Sequence, residues 1–244
     1  MQRSDLITLI PKERKKEYKK DSLRINNLEG TKFTVQTNVR SFLKNSKFLN
    51  QSKENLNILN NLKNSYEKLF NNEEFVDKDF VLSGHELLEY QKIDDSHKLR
   101  YLLYRYKYNS YPKQFITGEY PPCVQIEPTS ICNYRCVMCY QKDISFSKKS
   151  NGFMGHMDIN LFKKIIDELD GKIEAVTLAS RGEPTLHQKL PEMLKYLNGK
   201  FLGLKLNTNA SLLNEKLSHE ILSSDIQTLV FSIDAADKEN YEKI

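Results

Sequence analysis

The sequence predicts an α/β protein in which a parallel sheet of strand–helix units fills the C-terminal half and a mostly helical extension precedes it. Three observations carry this. From Pro122 onward, short apolar runs alternate with amphipathic stretches, the pattern of strand–helix crossover units. Before that point, apolar residues recur at helical spacing within a background rich in Lys and Asn. Between the two, Pro112 and then Pro121-Pro122 break the pattern and mark a boundary. The division is drawn as a helical or irregular extension over residues 1–114 and a strand–helix core over residues 115–244.

In the extension, Lys12 to Lys20 is a charge run. Leu56, Leu59, Leu62, Tyr66 and Leu69 predict one amphipathic helix, and Leu99, Leu102, Leu103 and Tyr106 predict a second over about residues 97–108. In the core, residues 123–127 alternate apolar and polar and predict a strand. Asp158 is a helix N-cap, because its carboxylate can accept from the free N–H groups of a first turn, and the helix runs to Leu169. The remaining expectations are strands over 174–179, 202–206 and 228–233, helices over 191–197 and 212–222, and a helix starting at Lys238. Parallel strands joined in this way are covered by their helices and bind ligands beyond their carboxyl ends. The last helix has barely begun at Ile244, so the sequence is expected to be a fragment with further strands missing.

Of the 244 residues, 39% are hydrophobic, and with 12 Phe and 13 Tyr there is material for a core. No apolar run approaches the ~18 residues a membrane-spanning helix needs. The N-terminus carries charge where a signal peptide needs an apolar stretch, so a cytoplasmic location is expected. The net charge of +5 is spread along the chain. The Lys12–Lys20 run is read as a solvated segment, because no basic groove interleaved with aromatics accompanies it, and no nucleic-acid partner is expected.

The chemistry lies in the cysteines. There are four, and Cys132, Cys136 and Cys139 stand in a C-x3-C-x2-C spacing directly after the first strand. Three clustered thiols cannot all pair as disulfides, and in a reducing compartment such thiols bind metal. Iron–sulfur clusters of four irons usually take four thiolates, so three leave one iron open to a small molecule. A structural zinc site is the alternative, although zinc prefers four closed ligands and no fourth Cys or His follows at finger spacing; His156 is the nearest. A protein that holds a cluster for electron transfer or regulation is a further reading. Cys123, on the opening strand, is read as a core residue.

With this spacing the chain resembles the radical S-adenosylmethionine (radical SAM) superfamily, and is similar to members that carry a C-terminal SPASM or twitch region. The resemblance implies a partial (βα)6 barrel of which the first four βα units are present. It implies that Cys132, Cys136 and Cys139 hold a 4Fe-4S cluster whose open iron chelates S-adenosylmethionine. Reductive cleavage then yields a 5′-deoxyadenosyl radical that takes hydrogen from a substrate, unidentified here, with a peptide or small metabolite favoured over tRNA. An electron donor such as flavodoxin or ferredoxin is the implied partner. The resemblance places Met138 beside the adenine. Residues 180–184 resemble the family's Gly-x-Gly-Glu-Pro turn, with Ser180 at the first Gly position and Gly182 and Glu183 kept to receive the methionine ammonium. Asn207 and Asn209 fall near the ribose or methionine carboxylate, with Ala210 where Gly is usual, and Ser232 and Asp234 match a Ser-Ile-Asp strand ending. The catalytic residues that act on substrate stay unassigned. Tyr134 and Tyr140 are read as packing around the cluster, Arg135 and Arg181 as surface residues, and His187 as structural.

Overall fold

The computed structural model describes residues 28–48 and 50–242, and the Lys12–Lys20 run lies outside the described residues. The chain divides into one compact unit over Asp21–Pro122 and another that contains Cys123–Ile244.

The first unit is built from four helices, α1 (Leu28–Asn45), α2 (Lys53–Asn71), α3 (Gly84–Lys92) and α4 (Lys98–Gln114). Val39, Leu43, Leu59, Leu62, Tyr66 and Leu102 are among its most deeply buried side chains. Local chemistry fixes the ends of these helices. The Ser52 hydroxyl accepts from the Asn55 N–H at 3.1 Å to start α2, and Asn72 closes it in the left-handed region with φ 54°. Ser83 and Glu86 form a capping box at the start of α3. The Glu86 carboxyl also takes Asn109 at 3.0 Å and an ion pair with Arg105. Burial pushes its pKa up, but the Ser83 N–H and the Arg105 guanidinium outweigh burial and hold it below the usual carboxylate range.

Two expectations for this unit are corrected. The buried face of α2 is Ile58, Leu59, Leu62, Ser65 and Tyr66, while Leu56 is 41% exposed. The true stripe is turned from the predicted one because Ile58 and Ser65 meet neighbouring elements that the helical period cannot reveal. The second predicted helix continues past Tyr108 to Gln114, with Pro112 inside its last turn. Buried Ser110 and Tyr111 hold that turn in place, and a proline so near the end forfeits little of the hydrogen-bond ladder.

The second unit is an α/β layer. Strands β1 (Cys123–Ile126), β2 (Ala175–Leu178), β3 (Gly203–Thr208) and β4 (Thr228–Phe231) form one parallel sheet in sequential order. Helices α5 (Ile144–Ser147) and α6 (Ile159–Leu169) join β1 to β2. Then α7 (Leu190–Leu197) joins β2 to β3, α8 (Glu215–Ser223) joins β3 to β4, and α9 (Lys238–Tyr241) follows. This is the partial barrel that the sequence predicts. Asp158 caps α6 as expected, its carboxylate accepting from Asn160 and Leu161 N–H at 2.9 and 3.1 Å. Asp237 caps the last helix by accepting the Asn240 N–H at 2.9 Å.

The core lies where Val176, Leu178, Leu204 and Leu206 meet Phe162 and Ile166 of α6 and the apolar face of α7, all nearly inaccessible. Along β3, Leu204, Leu206 and Thr208 are buried while Gly203, Lys205 and Asn207 share the other, less covered face. The strand runs two residues further than the pattern suggested, to Thr208, whereas β4 stops at Phe231 and leaves Ser232 and Asp234 beyond it. Among the described residues no helix is long and apolar enough to cross a membrane.

The turn of the α2 face can be measured. Leu62→Ala should cost about 2–5 kcal/mol in denaturant unfolding, and Leu56→Ala less than about 1 kcal/mol; equal costs would place the buried stripe elsewhere.

Candidate functional site

A cavity of about 590 Å³ lies at the carboxyl ends of the four strands. Cys132 and Cys136 border it from the loop after β1, Ser180, Gly182 and Glu183 from the turn after β2, Asn207 and Asn209 from the end of β3, and Ser232 and Asp234 from the segment after β4. Nearly all the residues singled out from the sequence therefore meet at one rim. Two do not line it. Cys139 sits half-buried at the head of the short helical turn Tyr140–Lys142, and Met138 is 61% exposed.

The cysteine loop is fixed by backbone contacts. A Cβ added to Gly182 would stand 1.9 Å from the Thr129 carbonyl oxygen and 2.8 Å from that of Ile131, so no side chain fits there. The next residue, Glu183, donates its N–H to the Ile131 carbonyl at 2.9 Å. From the other side, the buried Gln141 amide donates to the carbonyls of Ser130, at 2.9 Å, and Arg181. Ser130 N–H donates to Gly155 at 3.0 Å, and the bridge between Thr129 and His156 anchors the far end of the loop. Within the loop, the Tyr134 N–H donates to Cys132 Sγ at 3.4 Å, and the Arg135 guanidinium donates to the Cys132 and Tyr134 carbonyls at 2.9 and 2.7 Å. The Cys136 thiol is pushed up chiefly by burial, and further by the negative charge of Asp234 and of the other two cysteines, with its own backbone N–H opposing.

Glu183 is 2% exposed and ties two strand ends together. Its Oε1 accepts from the Thr185 N–H and hydroxyl at 3.0 and 2.6 Å and from the Thr208 hydroxyl at 2.7 Å, while Oε2 accepts from the Asn209 N–H at 2.7 Å. Beside it, Glu127 at the end of β1 holds the turn after β2. Its carboxylate takes the Arg181 N–H at 2.9 Å and the Arg181 guanidinium at 2.7 Å. Burial raises the Glu127 pKa, but Arg181 and the Ser180 hydroxyl outweigh burial and hold it below the usual carboxylate range. Arg181 is therefore an ion-pair partner and not a free surface residue.

Both departures from the family's glycine pattern stand where glycine is the natural choice. Ser180 has φ 150° and Ala210 has φ 64°, in the region that side chains disfavour. The backbone keeps the glycine shape although the glycines are gone.

The two asparagines of β3 differ. The Asn209 amide is committed to the protein: Nδ2 donates to Asn133 Oδ1 at 3.0 Å, and Oδ1 accepts from the Ser211 N–H and hydroxyl at 3.0 and 2.7 Å. Asn133 also donates to the Ser211 hydroxyl at 2.8 Å, which clasps the cysteine loop to the turn after β3. Asn207, by contrast, borders the cavity with a buried Oδ1 that has no hydrogen-bond partner. A buried unpaired acceptor costs about 1–3 kcal/mol and marks a place for a donor.

Sequence reasoning missed Asn133, Thr208 and Tyr241, which also border the cavity. The Tyr241 ring stands 6.4 Å from that of Tyr134, and its hydroxyl is pushed up to about 12, first by its hydrogen bond to Tyr134. Only a signal linking positions far apart in the chain could have found these. His187 is structural: it is 5% exposed, its Nε2 donates to the Met157 carbonyl at 2.9 Å, and its Nδ1 accepts from the Lys189 N–H at 3.0 Å.

The fold is a partial parallel α/β barrel whose carboxyl rim carries thiols and polar side chains. Residues 126–244 match the family model of the Radical SAM superfamily, and this part of the chain belongs to that superfamily. Over 111 residues the chain is 29% identical to the tungsten-containing aldehyde ferredoxin oxidoreductase cofactor-modifying protein of Pyrococcus furiosus, covering 45% of this chain and 30% of that protein. It is 29% identical over 150 residues to the Fe-coproporphyrin III synthase of Methanosarcina barkeri, covering 61% and 36%. It is 30% identical over 128 residues to the mycofactocin maturase MftC of Mycobacterium ulcerans, covering 52% and 33%. The chain spans about a third of the length of these curated relatives.

Two substitutions at the rim should have opposite signs. Gly182→Ala forces backbone apart and should destabilise by roughly 3 kcal/mol, while Ala210→Gly relieves a left-handed residue and should stabilise by about 1 kcal/mol. Denaturant titration reads both, and a neutral Gly182→Ala would mean that the loop yields without cost.

Proposed function

We propose that this chain is the cofactor-binding part of a radical SAM enzyme, with Cys132, Cys136 and Cys139 as the ligands of a 4Fe-4S cluster and the cavity as the seat of S-adenosylmethionine. The observation that carries the reading is the meeting, at one rim, of two thiols of the pinned loop, Cys132 and Cys136, with Asn207 and its unpaired Oδ1, while Cys139 follows in the same loop outside the cavity. The donor set suits the group, since thiolates are the ligands of iron–sulfur clusters. Among the described residues no three His, Cys, Asp or Glu side chains converge as a single ion needs, and a cluster asks less convergence because each thiolate takes its own iron.

Held by Cys132, Cys136 and Cys139, such a cluster would supply the one-electron reduction that cleaves S-adenosylmethionine and so starts hydrogen abstraction from substrate. The chain's own residues hold and shield these partners. The thiols must lose their protons to bind iron, which the burial of Cys136 opposes until the metal arrives. The Tyr134 N–H at Cys132 Sγ stabilises charge on that sulfur. Asn207 Oδ1 accepts from a ligand ammonium or hydroxyl, and Ser232 and Asp234 face the same space with an acceptor and a negative charge. Glu183, with four hydrogen bonds already made, positions the turn after β2 against β3 more than it reaches for ligand. Ser180, Gly182 and Asn209 shape the same wall through their backbone and their protein partners, and Met138 can meet an adenine only if its side chain turns from solvent into the cavity. The three relatives act, by their names, on a cofactor, a porphyrin and a maturation target, which agrees with a small-metabolite or peptide substrate.

The protein prepared without oxygen should be brown and, given reductant and S-adenosylmethionine, should release 5′-deoxyadenosine. Cys136→Ala should lose both colour and product. Asn207→Ala should keep iron and colour while S-adenosylmethionine binds about tenfold more weakly. A colourless protein holding zinc and no iron sinks the proposal.

A further inference from the structure

The residue that follows the first thiol is fastened to a different strand–helix unit. Asn133 Oδ1 accepts from Asn209 Nδ2 at 3.0 Å, and Asn133 Nδ2 donates to the Ser211 hydroxyl at 2.8 Å. The Ser211 hydroxyl and N–H donate in turn to Asn209 Oδ1 at 2.7 and 3.0 Å, so the three side chains close a ring. Ala210 makes the ring possible. Its left-handed backbone, φ 64°, turns the chain so that Ser211 comes back onto the Asn209 amide, and its N–H is taken by the Thr208 hydroxyl at 3.0 Å. A disfavoured conformation is thus kept where it brings these groups together.

The ring is one of two fastenings that flank Cys132. On the other side the Glu183 N–H holds the Ile131 carbonyl at 2.9 Å, and the Glu183 carboxylate accepts from the Asn209 N–H at 2.7 Å. The contacts run in a closed circuit, from Ile131 through Cys132 and Asn133 to Asn209 and back by Glu183. Asn209 follows Asn207 by two residues, about 7 Å of extended chain. The circuit therefore ties the first thiol beside the strand end that carries the unpaired Oδ1. Folding gains little from the ring itself. Asn133 and Ser211 are both exposed, and water would take up their polar groups if the ring opened. What the ring fixes is a position.

We propose that Asn133 and Ser211 are positioning residues for cofactor binding: acting through Asn209, they hold Cys132 in fixed relation to Asn207, the two places at which cluster and cofactor are to be held. The inference rests on the reading of Cys132, Cys136 and Cys139 as cluster ligands and of the cavity as the seat of S-adenosylmethionine. Ser211 separates position from contact. Asn133 and Asn209 border the cavity and Ser211 does not, so Ser211 acts on a ligand there only through the ring. A closed ring also works as a unit. Removing either end releases the Asn209 amide, and losing a second member then adds little to the loss of the first.

The test uses the full-length protein, reconstituted without oxygen. It reads iron content, the unfolding midpoint in denaturant, and S-adenosylmethionine binding by equilibrium dialysis. Ser211→Ala and Asn133→Ala should keep iron and midpoint and bind S-adenosylmethionine about tenfold more weakly. The double variant should bind within about twofold of either single variant. Ser211→Thr, which keeps the hydroxyl, should bind as the wild type does. A Ser211→Ala variant with wild-type affinity overturns the proposal whatever Asn133→Ala does, since Asn133 then acts by contact. Additive losses in the double variant overturn it, and so does a Ser211→Thr variant as weak as Ser211→Ala. A loss of affinity that comes with a matching loss of iron or midpoint also overturns it, because the loop then no longer folds. A wild-type preparation without iron overturns the cluster assignment beneath the proposal, and an iron-loaded one that binds no S-adenosylmethionine overturns the assignment of the cavity; either takes the positioning role with it.

Discussion

The site depends on one close approach, that of the backbone at Gly182 to the carbonyls of Thr129 and Ile131. The cysteine loop leaves β1 and the next turn leaves β2, and only a residue without a side chain lets the two run this near each other. The Glu183 N–H then closes the contact by hydrogen-bonding Ile131. Because Ile131 immediately precedes Cys132, the position of the first thiol is set by the packing of a glycine on a different strand–helix unit.

Around that contact, buried polar groups are satisfied almost completely by the protein itself. Glu183 joins the ends of β2 and β3, Glu127 joins the end of β1 to Arg181, and Gln141 holds Ser130 and Arg181 through its amide N–H groups. Asn133 and Asn209 fasten the cysteine loop to the far side of the rim. Such mutual satisfaction makes a rigid wall, because each group that moved would leave a partner unpaired in a poorly solvated place. The unmatched Oδ1 of Asn207 and Oε1 of Gln141 stand out against it, and so does the strain at Ser180 and Ala210.

The N-terminal unit obeys different physics. Its four helices bury their own apolar stripe, and its buried charge, Glu86, is matched within the unit by Arg105, Asn109 and the Ser83 N–H. A cavity in this unit is bordered by Asp79, Glu86, Arg105 and Asn109, whose polar groups pair within the unit.

The sequence by itself determined the alternation of strands and helices, the cap at Asp158 and the place of the three cysteines after β1. These follow from local periodicity, from a side chain's reach to its own backbone, and from spacing along one loop. The tertiary structure alone decided which face of α2 is buried, that Gly182 meets the cysteine loop, and that the Asn209 amide faces Asn133 while Asn207 borders the cavity with its Oδ1 buried and unpaired. It also turned Arg181 from an apparent surface residue into the partner of Glu127. Each of these is a contact between residues distant in the chain, and its geometry is set by strand register and by the packing of one loop on another, quantities that no window of neighbouring residues contains.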